Sequence, residues 1–76
     1  MNIIEATKQE LRAVEAQKYE GFTNADIRRV SPVLRAAIRI MEVSTLELHS
    51  MELMRSLCVT KVPEVNIVAR HIMEIL

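Results

Sequence analysis

Ser31–Val43, SPVLRAAIRIMEV, is apolar almost all the way round when wound into a helix. At about 100° per residue, the charged side chains Arg35, Arg39 and Glu42 fall on one narrow stripe. Val33, Leu34, Ala37, Ile38, Ile40 and Met41 cover the rest of the circumference. A helix of that kind has to be surrounded, so the other segments are expected to wrap it. The resulting expectation is an all-α single domain of about five short helices around residues 31–43, angular rather than up-and-down.

The flanking residues set the expected boundaries. Upstream, FTNADIRRV places Thr23 as a helix N-cap with Asp26 at N3, and Phe22 and Ile27 at the positions of a hydrophobic staple. A short helix over 24–30 follows. Ser31 is then expected to cap the central helix, 32–43, with Pro32 at its first position, where a missing N–H does no harm. Downstream, Ser44 and Glu47 spell a capping box, with Val43 and Leu48 as its staple, so another helix is expected over 45–58. Leu46, Leu53 and Leu57 form its natural core row, beside a second row of Met51, Met54 and Cys58.

The chain ends are read in the same way. Residues 2–20 are good helix formers and stop at Gly21, the only glycine, which suits the left-handed position after a helix. The large apolar residues Ile4, Leu11 and Val14 lie on a thin seam interrupted by Thr7 and Lys18, so this helix is expected to dock lightly on the surface. After Val59-Thr60-Lys61-Val62, where a short strand over 57–62 is the competing reading, Pro63 opens a last helix over 63–76. Its apolar side is Val65, Val68, Ala69, Ile72 and Leu76, with Met73 and Ile75 at the margins.

Composition limits the functional classes. A chain of 76 residues supports one small core. Half of its residues are hydrophobic and its ten basic and ten acidic groups cancel, which is far from the composition of a disordered chain. The single cysteine, Cys58, excludes an internal disulfide framework and fits a reducing compartment, with the cytoplasm as the expectation. Glu5 and Lys8 interrupt the first apolar residues, so no signal peptide and no membrane span are expected.

Few residues suggest chemistry. His49 with Glu52, and His71 with Glu74, share helix faces at the spacing of metal ligands, but each pair falls on a polar face and reads as solvated, so no metal or cofactor is expected. Cys58 lacks any nucleophile motif, and no glycine-rich phosphate loop or hydrolase signature occurs, so no enzymatic activity is expected. Arg28, Arg29, Arg35 and Arg39 make the middle of the chain basic. Two readings follow. The leading one is a small regulatory or inhibitory protein that binds another protein, alone or as a homo-oligomer, through surplus apolar residues Met51, Met54, Cys58, Ile67, Met73 and Ile75. The alternative is a helix-turn-helix regulator in which 24–30 and 32–43 are the positioning and recognition helices and the four arginines meet nucleic acid.

Overall fold

A computed structural model describing Met1–Leu76 holds four helices and no strand: α1 (Ile3–Glu15), α2 (Asn24–Val43), α3 (Glu47–Leu57) and α4 (Pro63–Ile75). α2 and α4 each pack on all three other helices, while α1 and α3 are joined mainly through them. No strand forms over 57–62, the competing reading: Leu57 ends α3, and a turn and bend lead from it to α4.

Four helices replace the expected five because the chain does not break at Ser31. Thr23 and Asp26 do form the capping box: the Asp26 amide donates to Thr23 Oγ1 at 3.2 Å and the Thr23 amide to Asp26 Oδ2 at 2.9 Å. The helix then runs through Pro32 to Val43. Proline in a helix interior removes one backbone bond and crowds the preceding turn, at a cost of about 3 kcal/mol. What outweighs it is a stripe that spans the proline without a gap. Val30, Leu34, Ala37, Ile38 and Met41 are buried, with Ile27 half-buried at the upstream end. Each fully buried aliphatic side chain is worth about 1.5–3 kcal/mol, and a corner at Ser31 would swing Ile27 and Val30 off that line. Ser31 therefore lies in mid-helix rather than at a cap, and its buried hydroxyl has no partner. Pro32→Ala should raise stability by about 1–2 kcal/mol, the restored helix bond being partly offset by a freer unfolded chain. Urea unfolding measures this, and a lower midpoint would mean that the proline ring itself is needed.

α2 is not surrounded as its sequence suggested. Ala36, Ile40 and Val43 are exposed together with Arg28, Arg35 and Arg39, so one long face is bare. At about 1.5 Å per residue, its 20 residues extend about 30 Å, against a longest molecular dimension of 34 Å.

α1 is a core helix, contrary to the expected light docking. Ile3, Ala6, Thr7, Glu10, Leu11 and Val14 are all buried. Thr7 does not interrupt the seam, because its hydroxyl donates to the Ile3 carbonyl at 2.7 Å and so enters the interior satisfied. The helix ends five residues before the expected Glu20, and Gln17 rather than Gly21 takes the left-handed position after it, with φ 59°. The Gln17 amide donates to Val14 O at 3.1 Å and the Lys18 amide to Ala13 O at 2.9 Å, the paired bonds of a Schellman end. Gly21, with φ 83°, serves the following turn instead.

α3 begins later than the expected residue 45. Ser44 is the C-cap of α2, and its hydroxyl meets the Leu46 backbone at 3.3–3.4 Å, so it cannot close a box with Glu47. The buried line of α3 is Ser50, Met54 and Leu57; of the expected leucine row only Leu57 is buried, Leu53 is half-buried with Met51 and Cys58, and Leu46 is exposed. α4 begins at Pro63, and its buried residues are Val65, Val68, Ala69 and Ile72; Leu76 is exposed.

Candidate interaction surface

The bare face of α2 carries two parallel rows. Arg35, Arg28 and Arg39 lie within about 40° of one another around the helix axis, and Pro32, Val43, Ala36 and Ile40 follow on one side. Pro32, Arg35, Ala36, Arg39 and Ile40 line an open hollow of about 470 Å³. Ile40 also lines a second hollow, about 230 Å³, at the α2–α3 corner with Val43, His49 and Ser50. The apolar residues of this region are far from water-shy in the folded chain: Ile40 is 54% exposed, Val43 82%, Leu46 53% and Leu48 61%. Val43 and Leu48, expected as a staple, are therefore both mostly in water.

Charge on this face is uneven. Arg29 is occupied by Asp26 at 3.1 Å and Glu64 at 3.3 Å, and Arg35 by Glu15. The Thr23 amide above all, helped by Arg29, holds the Asp26 carboxyl below its usual range. Glu42, the one carboxylate beside the arginine row, is engaged by Lys8 at 3.0 Å. Arg28 and Arg39 are left with no carboxylate within ion-pair distance.

The residues expected to form a partner surface do not assemble into one. Met54 has no exposed area and is part of the core, so it cannot contact a partner. Met51, Cys58, Met73 and Ile75 are half-buried and pack against that core. Ile67 is exposed but belongs to a different side of α4: it lines a hollow with Glu10, Tyr19 and His71. Asn66, one residue earlier, donates to the Leu57 carbonyl at 2.8 Å and to Thr60 Oγ1 at 3.1 Å, which ties its side of α4 to the end of α3.

Glu10, Tyr19 and His71 form a polar cluster that sequence reasoning missed. Glu10 is only 5% exposed. Its Oε1 accepts from the Tyr19 hydroxyl at 2.7 Å and lies 3.5 Å from His71 Nε2, and its Oε2 accepts from Gln9 Nε2 at 3.3 Å. Burial raises the Tyr19 phenol far above its ordinary value, and the acceptor and charge of Glu10 raise it further. Tyr19 also stacks obliquely on Phe22, with centroids 5.1 Å apart, and meets the His71 ring edge-on at 6.2 Å. A phenol held this firmly protonated donates to Glu10 and is no base. The cluster ties the 16–23 turn to α1 and α4. Helical spacing puts Thr7 and Glu10 on one line with Ile3 and Val14, but it gives no sign of Tyr19 or His71 as partners.

His71 is thus turned toward Glu10 of another helix rather than paired with Glu74, and His49 lies at the α2–α3 corner. No three His, Cys, Asp or Glu side chains converge in a way that could hold a metal. Cys58 lines none of the hollows. No helix is long and apolar enough to cross a membrane. Comparison of the chain with protein-family models, curated proteins and solved structures returns no match.

Proposed function

We propose that this chain is a small regulatory or inhibitory protein that acts by docking the outer face of α2 and the α2–α3 corner onto another protein. One observation carries the reading. Ile40 and Val43 line one hollow at the α2–α3 corner and are more than half exposed, as are Leu46 and Leu48 in the turn and the first residues of α3 that follow, on a domain whose interior is small. A partner that covers them removes from water the largest apolar side chains of this region. The reading moves the contact away from Met51, Met54, Cys58, Met73 and Ile75, whose side chains are engaged with the core.

The helix-turn-helix alternative loses its geometric basis, because 24–30 and 32–43 are one continuous helix with no turn between them. The turn that follows α2, residues 44–46, leads into α3, whose exposed side chains include Glu47, Glu52 and His49 and only one arginine, Arg55. That is a poor match to a phosphate backbone.

The test compares wild type with an Ile40→Glu/Val43→Glu pair, both shown to be helical by circular dichroism. A protein retained by wild type from a cell extract should bind the pair at least about tenfold more weakly, equivalent to about 1.4 kcal/mol, because each carboxylate is stranded when the surfaces close. Equal retention of every bound protein by the two would place the contact elsewhere.

A further inference from the structure

Resting on the docking surface just proposed, we infer that its partner is an acidic amphipathic helix, with apolar anchors that meet Ile40 and Val43 and carboxylates that meet Arg28 and Arg39. Charge on the face selects this occupant. Arg28 and Arg39 have no carboxylate within ion-pair distance, Arg35 is paired with Glu15, and the neighbouring Glu42 is held by Lys8, so two of the three arginines in the row present positive charge with no ion-pair partner in the chain. An antiparallel second copy applied through the same face would set arginine row beside arginine row, and a parallel one would lay each arginine row over the other's apolar row, so charge disfavours both pairings.

Shape agrees with charge. The two hollows share Ile40 and together run from Pro32 to the α2–α3 corner, a course suited to an elongated ligand rather than a compact one. A helix laid along it offers side chains at i, i+3, i+4 and i+7, the spacing by which helices enter apolar grooves. Its acidic flank would lie beside the arginine row, where ion pairs steer association and fix orientation.

Two synthetic helical peptides with one apolar stripe, flanked by Glu in the first and by Lys in the second, provide the probes. Binding is read by fluorescence anisotropy against wild type, Arg28→Glu/Arg39→Glu and Ile40→Glu/Val43→Glu, with a random-sequence DNA duplex titrated alongside and self-association followed by sedimentation. The Glu peptide should bind saturably, at least tenfold tighter than the Lys peptide. The arginine variant should reverse that preference, and the Ile40/Val43 variant should weaken both peptides. Equal binding of the two peptides, still lost in the Ile40/Val43 variant, would overturn the acidic partner while leaving the docking surface standing. Saturable arginine-dependent binding of the duplex without peptide binding would make the face a polyanion site. Self-association abolished by Ile40→Glu/Val43→Glu, with no peptide bound, would make the occupant a second copy. Either result defeats the inference.

Discussion

Met54→Glu is expected to leave no cooperatively folded protein. Met54 is fully buried near the middle of α3, in the same interior as Leu34, Met41, Val65, Val68 and Ile72. Glutamate there either strands a charge among aliphatic groups or takes up a proton and still buries an unpaired carboxyl, and breaking the interior this way costs several kcal/mol. Total stabilities of small domains are about 5–15 kcal/mol, and this chain falls at the small end of the size range. Ile67→Glu is the control. Ile67 is exposed on α4 beside Glu10, Lys18, Tyr19 and His71, so its replacement should move stability by no more than about 0.5–1 kcal/mol. Circular dichroism and thermal unfolding of the two variants measure the contrast. A Met54→Glu protein that melts like wild type would mean that α3 does not pack as described.

Tyr19→Phe should lower stability by about 1.5–3 kcal/mol at neutral pH, the usual worth of a hydrogen bond to a charged group. The ring and its packing on Phe22 remain, so the loss isolates the hydroxyl that Glu10 accepts at 2.7 Å. The effect also has a pH signature. Folding raises the phenol above its ordinary value of 10.0, so the folded state keeps its proton where the unfolded state has lost it. The tyrosine's contribution is therefore fully present below pH 10.0 and falls as pH rises beyond it, and the difference between wild type and Tyr19→Phe should shrink in that alkaline window. Tyr19 is the only tyrosine and there is no tryptophan, so the ultraviolet absorbance of the phenolate reports its titration directly. A phenol that ionises at its ordinary value in the folded protein would contradict the bond to Glu10.

The candidate surface was only half legible. Helical spacing puts Arg35 and Arg39 on one stripe and the sequence around Cys58 carries no nucleophile motif, whereas Arg28 joins that stripe only because α2 continues through Pro32. The apolar half was misplaced. Sequence puts Ile40 in the interior because the helix is apolar on almost every side, whereas a chain with only three other helices cannot cover the full circumference of a 20-residue one. Sequence puts Met54 outside because the leucine row on the same helix reads as the better core face. The structure rotates α3 to put Ser50, Met54 and Leu57 inward, and local spacing cannot distinguish between two apolar rows that lie side by side.

By itself the sequence determined the all-helical class, the capping box of Thr23 and Asp26, the start of the last helix at Pro63, and the burial of Leu34, Ala37, Ile38, Met41, Val65, Val68, Ala69 and Ile72. These depend on local chemistry: a cap satisfies amides within its own first turn, and helical periodicity fixes which side chains can share a face. Only the tertiary structure decided that α2 continues through Pro32, that Gln17 rather than Gly21 ends α1, that Ser44 closes one helix instead of opening the next, and that Thr7 and Glu10 enter the core. In each case a local preference worth about 1–3 kcal/mol met a competing contact made from elsewhere in the fold. An unbroken apolar stripe across the proline holds α2 together. A tyrosine nine residues away gives the buried Glu10 a donor, and no local pattern records it.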